Sequence, residues 1–179
     1  VQYLFPKAHA VAYVLIAYRI AYCKMHHPKH FYASYFTVRA TDFDYTHVSK
    51  GSHYIKNFIK SVYQQGFRAS VLDKSIATYL ELANEMIERG YEFEKVDLYK
   101  SHPTKFLITE KGLRPPLASL AGVGNNAALS IAEARDVNNP FISREDLRQR
   151  AGIGKAVIER LADVGVLDDL PESNQIDLF

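Results

Sequence analysis

The pattern of hydrophobic and polar positions predicts helices in the first half of the chain. Residues 7–27 are rich in alanine and other apolar residues and contain no glycine or proline, which favours one long helix. Pro6 suits the first position of that helix, and Pro28 is expected to end it. The next apolar run, residues 31–39, fits a helix or a strand equally well.

Two further helices are predicted after a break at Lys50-Gly51-Ser52. The first covers about residues 53–65 and is closed by Gly66. The second covers residues 72–88, with Gly90 as its expected cap. Its apolar residues recur at spacings of three and four, so one face of this helix should be buried. These residues are Ile76, Leu80, Ala83 and Ile87.

The middle of the chain has shorter, alternating apolar positions. Residues 91–109 predict two short strands or an extended linker. A stretch with glycine and prolines follows at residues 112–116, and we place a module boundary near residue 112. The expected fold is mainly α, with a few short strands or extended segments before a second helical module.

A loose internal repeat occupies the second module. Residues 117–132 contain Gly122-Val123-Gly124, and residues 147–162 contain Gly152-Ile153-Gly154 thirty positions later. In each copy a short helix is expected to end at the turn, where the glycines allow tight backbone geometry and the apolar residue between them is buried. A second helix then begins. This is the pattern of a helix-hairpin-helix.

Such turns are candidate binding sites for the DNA backbone. The first N–H groups of the second helix lack intrahelical partners and lie at its positive end, so a phosphate oxygen is the matching acceptor. Recognition would be independent of sequence. The candidate residues are Gly122, Val123, Gly124, Asn125, Gly152, Ile153, Gly154 and Lys155.

The second copy of the repeat is looser than the first. Arg150 occupies a usually apolar position, and Ile158 replaces the small alanine that lets the two helices approach. Lys155 and Arg160 favour DNA contact, whereas three nearby aspartates argue against it. The second hairpin is therefore either a DNA contact or purely architectural.

The start of the first helix is a candidate phosphate site. Its first-turn amides would face an anion, and Lys7 and His9 add an ammonium and an imidazole at the same end. Phe5, His9 and Tyr13 follow at intervals of four, so the same face could continue to a ring that stacks on a base. An amphipathic helix with a buried Tyr13 is the alternative.

The last residues of the chain resemble a binding peptide. Apolar residues at a chain end have no local partner, so Leu178 and Phe179 could insert into a pocket while Gln175 hydrogen-bonds at its edge. The alternative is that the tail folds back on its own domain. The candidate residues are Gln175, Ile176, Asp177, Leu178 and Phe179.

Composition and charge narrow the class of protein. With 47% hydrophobic and 23% charged residues and no apolar run of about 18 residues, we expect a globular cytosolic protein without a membrane span. The single cysteine, Cys23, excludes an intrachain disulfide and a paired-cysteine zinc site, so we expect no structural metal. Residues 1–60 carry eight Lys or Arg against two Asp, interleaved with aromatic residues, which suits phosphate contact and base stacking. A solvated basic face over an aromatic core fits equally well.

Two possible metal sites are discounted. Asp42 and Asp44 could lie on one side of a strand, but no third carboxylate is placed to complete a site. His26 and His30 have ligand spacing, yet Pro28 between them breaks the helix that this spacing requires.

Several stretches of the chain closely resemble PolC-type DNA polymerase III alpha subunits, the replicative polymerases of low-GC Gram-positive bacteria. They are residues 4–13, 26–28, 96–99, 115–116 and 174–179. They occur in the order found in the family, and the resemblance covers nearly the whole chain. It implies that the chain is a piece of a longer nucleotidyltransferase.

By this resemblance the chain has three parts. Residues 1–111 would be the end of the polymerase fingers, residues 112–170 a tandem helix-hairpin-helix domain that binds duplex DNA, and residues 171–179 the tail that binds the β sliding clamp. Within the fingers, the incoming dNTP and the nascent base pair would be contacted by Phe5, Lys7, His9 and Tyr13.

The resemblance also implies partners and chemistry. The partners would be primer-template duplex DNA, incoming dNTP, the β sliding clamp and other replisome subunits, with no membrane. The catalytic aspartates and magnesium would lie in a palm outside this chain, so the chain alone should bind no cofactor and should not polymerise DNA. The competing hypotheses are a non-enzymatic tandem hairpin module of a nuclease or helicase accessory protein, and a scaffold without a nucleic-acid role.

Overall fold

The structure is a computed structural model that describes residues 6–173. The first part of this range contains the helices α1 (Lys7–His26), α2 (Pro28–Val38), α3 (Tyr45–Val48), α4 (Gly51–Gln65) and α5 (Val71–Glu88), with a 3₁₀ turn at Gly66–Arg68. The strands β1 (Glu92–Phe93), β2 (Leu107–Ile108) and β3 (Gly112–Arg114) follow. After a 3₁₀ turn at Leu117–Ser119 come the helices α6 (Asn125–Ala134), α7 (Arg144–Ala151) and α8 (Lys155–Asp163). The prediction of a mainly α fold is confirmed.

The two prolines near the N-terminus both lie at helix starts. α1 ends at His26, the backbone leaves the helical region at His27, and α2 then begins with Pro28 at its first position. Proline is tolerated there because its missing N–H would have no intrahelical partner. Residues 31–39 are therefore almost entirely helix, and Pro28 starts a new helix after ending the old one. The prediction that Pro6 is the first helical residue is wrong. Pro6 has an extended backbone and precedes α1 as its N-cap.

The predicted helices at residues 53–65 and 72–88 are confirmed as α4 and α5, each with a slightly earlier start. Three of the four residues predicted on the buried face of α5 are buried, whereas Ile87 is only partly buried. The short helix α3 was not predicted. It begins where the Asp44 carboxylate accepts a hydrogen bond from the Thr46 N–H at 2.9 Å, which satisfies one of the unpaired first-turn amides.

The three strands form one small sheet in the order β1-β3-β2. β3 pairs in parallel with β1 and antiparallel with β2. Gly112 is required in β3 because a β-carbon there would lie 2.2 Å from the carbonyl oxygen of Glu92. The predicted break at residues 112–116 is thus in part the central strand of the sheet.

One continuous cluster of buried apolar residues runs from α2 through α5 and the sheet to α8. Its fully buried members include Tyr32, Leu80, Leu113, Ile131 and Leu161. The boundary placed near residue 112 falls inside β3, close to the middle of this core. The division of the chain into modules stays a prediction.

Candidate nucleic-acid interface

The two predicted Gly-apolar-Gly turns have nearly the same backbone. Gly122 and Gly152 both have positive φ, +84° and +63°. Gly124 and Gly154 are both extended N-caps, with φ of −70° and −73° and ψ of 162° and 158°. The first turn follows the 3₁₀ turn Leu117–Ser119, where a short α-helix was expected. The second turn follows an α-helix, α7, as expected.

The apolar residue of each turn is buried, as the pattern predicts. Val123 and Ile153 are 3% and 8% exposed. The Val123 N–H donates to the Leu120 carbonyl at 2.9 Å, and the Ile153 N–H donates to the Arg148 carbonyl at 3.2 Å. These contacts fix each turn against the core, so that the following helix starts at a defined position on the surface.

The helices that follow the turns begin with open amides. Neither α6 nor α8 has a side-chain cap, and neither has an acidic residue in its first turn. The first residues of both helices are exposed. A β-carbon on Gly124 or Gly154 would have no other atom within 4 Å. A phosphate oxygen can therefore reach the N–H groups of either helix, which are also the positive end of its dipole.

Arg160 brings the two hairpins together. It lies on α8, and its Cγ is 3.2 Å from the position of a β-carbon on Gly122 in the first turn. Its guanidinium is exposed and lies 3.8 Å from the Asp163 carboxylate, a loose surface ion pair. Lys155, at the start of α8, is similarly exposed and lies 3.6 Å from the Glu159 carboxylate. The second hairpin therefore supplies cations next to both turns, although each has an acidic neighbour.

The contacts of Arg150 explain why a polar residue stands where the motif usually has an apolar one. Its guanidinium donates to the carbonyl oxygens of Ala134 and Asn139, both at 3.0 Å. It also pairs with the Asp146 carboxylate at 3.2 Å and lies 4.4 Å above the Phe141 ring. Arg150 thus joins α7 to the end of α6 and to the segment between the helices, so its role is architectural.

A second group of contacts, which was not predicted, holds the hairpins against the segment between β1 and β2. The Arg135 guanidinium at the end of α6 donates to the carbonyl oxygens of Leu98 and Ser101 at 3.0 and 2.7 Å. The Tyr99 hydroxyl accepts a hydrogen bond from the Phe141 N–H at 2.7 Å. These bonds link residues far apart in the chain, and no local sequence pattern signals them.

The candidate nucleotide-binding residues of α1 lie on an exposed helix. α1 has no buried residue, no side-chain cap and no acidic residue in its first turn. The rings of His9 and Tyr13 are 4.4 Å apart and tilted, and Tyr13 is 63% exposed. The alternative of a buried Tyr13 is therefore wrong. Lys7 is exposed at the start of the helix, and Phe5 lies outside the described residues.

The C-terminal end of α1 is held by an ion-pair network around Glu85. The Glu85 carboxylate lies 2.6 Å from the Lys24 ammonium and 2.8 Å from the Arg89 guanidinium, and it accepts a hydrogen bond from the Tyr32 hydroxyl at 3.1 Å. Burial alone would raise the pKa of Glu85, but the hydrogen bond and charge of Lys24 outweigh it and the net pKa is lowered. Burial, followed by the charge of Glu85, raises the pKa of Tyr32 to about 12.

The discounted carboxylates do not form a site. Asp44 caps α3, and the Asp42 carboxylate accepts a hydrogen bond from the Ser75 hydroxyl at 2.5 Å. Among residues 6–173 no group of three His, Cys, Asp or Glu is arranged to hold a metal ion. In the same range no helix is long and apolar enough to cross a membrane. The tail candidates Gln175, Ile176, Asp177, Leu178 and Phe179 lie outside the described residues.

Comparison with known proteins agrees with the geometry of the turns. Residues 90–176 match the family model of the helix-hairpin-helix motif. Over all 179 residues the chain is 54% identical to the DNA polymerase III PolC-type of Halalkalibacterium halodurans, 53% to that of Bacillus cereus and 50% to that of Bacillus subtilis. The chain spans 12% of the length of each of these relatives. Its homologues are thus PolC-type DNA polymerase III proteins, related to it from its first residue to its last, and its second half carries a helix-hairpin-helix motif.

Proposed function

We propose that this chain is the C-terminal part of a bacterial replicative DNA polymerase and that its hairpins grip the backbone of duplex DNA. The observation that carries the proposal is the pair of uncapped helix starts at Asn125 and Lys155, each behind a glycine with open space around it. Homology to PolC-type polymerases over the whole chain supports the same function.

In this proposal each hairpin binds one phosphate group. The phosphate oxygen accepts hydrogen bonds from the first N–H groups of α6 or α8, and the aligned peptide dipoles favour its negative charge. Lys155 and Arg160 add positive charge near the two turns. Because phosphates carry no sequence information, such a grip suits an enzyme that must hold any sequence that it copies.

The region before residue 112 is proposed to be the end of the polymerase fingers. Lys7 and His9 would bind the triphosphate of the incoming dNTP, and Phe5 and Tyr13 would contact the nascent base pair. The exposed, uncapped start of α1, without an acidic residue in its first turn, supports an anion there. The magnesium ions and catalytic aspartates would belong to a palm elsewhere in the polymerase, so the chain alone should be inactive.

The tail is proposed to bind the β sliding clamp in the bacterial cytoplasm, beside other replisome subunits. Leu178 and Phe179 would fill an apolar pocket of the clamp, and Gln175 would hydrogen-bond at its edge. Ile176, where leucine is common in the family, should change the affinity rather than abolish it.

A salt series tests the DNA-binding part of the proposal. A fluorescent primer-template should bind the chain with an affinity that falls steeply with salt, because each neutralised phosphate contributes a slope of about −0.9 in log affinity against log salt. A chain ending at Ser173 should keep this affinity and lose binding to the clamp. Absence of duplex binding at low salt would sink the hairpin proposal, and unchanged clamp binding after truncation would sink the tail proposal.

A further inference from the structure

The turn between α4 and α5 and the end of α4 carry exposed aromatic side chains. Phe67 is fully exposed in the 3₁₀ turn, and Tyr63 in the last turns of α4 is 67% exposed. Burying such rings in a partner is favourable because each removes a large apolar area from water. We call residues 62–78 the helical tip.

The helical tip contains a cleft of about 340 Å³, at the lower end of the range of roughly 300–1,000 Å³ for small-molecule sites. Its lining includes Val62, Tyr63, Phe67, Lys74, Ala77 and Thr78. Val62 and Ala77 are buried and belong to a small apolar cluster separate from the main core. The cleft thus has a firm apolar floor, two aromatic rings at its wall and an ammonium at its rim.

Two cations of the helical tip are available to a ligand. Lys74 lines the cleft, and Arg68 follows Phe67 in the 3₁₀ turn. In the part of the chain that the structure describes, neither of them takes part in an ion pair. The two nearby carboxylates accept hydrogen bonds from hydroxyl groups of the tip itself: Asp73 from Ser70 at 2.7 Å, and Glu81 from Tyr63. Both carboxylates keep their charge, but their hydrogen bonds hold them to hydroxyl groups and not to Arg68 or Lys74.

We propose that the helical tip binds single-stranded DNA, with an unpaired base in the cleft against Tyr63 and Phe67 and with phosphates on Lys74 and Arg68. Exposed aromatic rings beside unpaired cations suit this ligand because every base has a face that can stack and every nucleotide carries a phosphate. The Thr78 hydroxyl donates to the Lys74 carbonyl at 2.8 Å, so it can offer a base only an acceptor. We assign the helical tip to the path of the unpaired template strand, and this assignment rests on the proposed function.

A protein partner would use a different surface of the tip. Val71 is 87% exposed and Leu72 57%, yet neither lines the cleft. A partner that simply covers apolar area would bury them together with Phe67. Arg68 and Lys74 favour a polyanion, and the difference between Phe67 and Val71 separates the two possibilities.

The chain contains no tryptophan, which permits a direct test with a single fluorophore. The full chain with Phe67→Trp is titrated with oligo-dT of about 12 nucleotides, within the usual site size of about 4–16. The matched control is Val71→Trp, which places the fluorophore on the same tip outside the cleft. Stacking predicts a saturable decrease in fluorescence for Phe67→Trp and little change for Val71→Trp. Equal changes at both positions, or no change at low salt, would overturn the proposal.

Affinity measurements complete the test. Phe67→Ala and Phe67→Leu should each weaken binding of oligo-dT about tenfold, because leucine keeps the apolar character but has no flat ring. Binding of duplex DNA should stay unchanged in both variants. Full affinity in Phe67→Leu would identify a general apolar surface and overturn the stacking proposal. A wild-type chain that binds oligo-dT but not duplex would sink the proposed hairpin function and leave the tip proposal standing, so the two failures are distinguishable.

Discussion

The glycines at the helix starts allow folding to be separated from DNA binding at single residues. Gly124 and Gly154 have ordinary extended backbones and open surroundings, so a side chain fits at either position. Aspartate is among the preferred N-cap residues and its charge suits the helix dipole, so Gly124→Asp or Gly154→Asp should not destabilise the chain. The carboxylate would nevertheless occupy the amides that we assign to phosphate.

We therefore expect Gly124→Asp to lower duplex affinity about tenfold and to reduce the salt slope by about 0.9, as for one lost phosphate. The same change at Gly154 shows whether the second hairpin contacts DNA. The controls are Gly124→Asn and Gly154→Asn, which cap without charge and should weaken binding less. Unchanged affinity in both aspartate variants, with unfolding midpoints intact, would mean that neither turn binds phosphate.

His102 should make stability depend on pH. Its Nδ1 accepts hydrogen bonds from the N–H groups of Thr104 and Lys105, both at 3.0 Å, and cannot do so when protonated. Burial first, and then the charges of Lys105 and Arg135, lower the pKa of His102 from its ordinary 6.5. Below about pH 6.5, His102 is therefore protonated to a greater extent in the unfolded chain than in the folded chain. The free energy of unfolding falls as the pH decreases towards the pKa of His102 in the folded chain.

Urea unfolding at about pH 5.5 and about pH 7.5 measures this dependence. His102→Asn should reduce it, since the asparagine side-chain oxygen can accept a bond from the Thr104 N–H without titrating. Some dependence should persist, because burial also lowers the pKa of His47. An identical pH dependence in the wild type and His102→Asn would exclude this role for His102.

At the scale of elements, periodicity predicted the helices well and paired contacts poorly. α5 could be predicted because one of its faces is buried, which leaves apolar residues at spacings of three and four, and α4 because Gly66 marks its end. α3 has only four residues, too few for a period, and β3 depends on partners about 6 and 20 residues earlier in the chain. Such elements are specified by tertiary pairing, which a single sequence does not display.

At the candidate site, too, some features could be predicted from the sequence and others could not. The glycines and the buried Val123 and Ile153 could be predicted because the tight turn restricts the residue types that fit. The role of Arg150 could not, because its partners are mostly backbone carbonyl groups, which every residue has. Residue type alone shows only that a polar side chain occupies an apolar position of the motif.

Replacing Arg150 tests its architectural role. Arg150→Leu restores the apolar residue of the motif but leaves carbonyl oxygens of residues 134 and 139 without their donor. We expect a loss of about 2 kcal/mol in the free energy of unfolding, measured with urea, since hydrogen bonds made by a charged group contribute about 1.5–3 kcal/mol. Arg148→Leu is the matched control, on the same helix with an exposed side chain, and should change stability little. Equal effects of the two variants would show that Arg150 is not the link between the helices.

At the scale of the whole molecule, the continuous core predicts cooperative unfolding from α2 to α8. Leu113 is fully buried in β3, between the two groups of helices. Leu113→Ala should cost about 2–5 kcal/mol and destabilise the helices on both sides of residue 112 equally. Native-state hydrogen exchange, followed separately in α5 and α6, measures this. If exchange accelerated in only one of them, the two proposed modules would be energetically independent.

α1 should be the exception to this cooperativity. It has no buried residue. It contacts α2, and its link to α5 is the ion pair between Lys24 and Glu85. Glu85→Gln weakens the ion pair with Lys24, so amides near the end of α1 should exchange faster than in the wild type. Those of α7 and α8 should be unaffected, because local opening requires only the contacts of the segment that opens.

The close approach at Gly112 has a consequence for genetics. Every missense change at this codon adds a β-carbon that overlaps a backbone oxygen, so a saturation library selected only for folded protein should lose all of them. If the proposed function holds, the codons for Gly124 and Gly154 should tolerate many changes under that selection and lose them under a selection for DNA binding. The difference between the two selections would mark, codon by codon, which glycines maintain the fold and which serve its ligand.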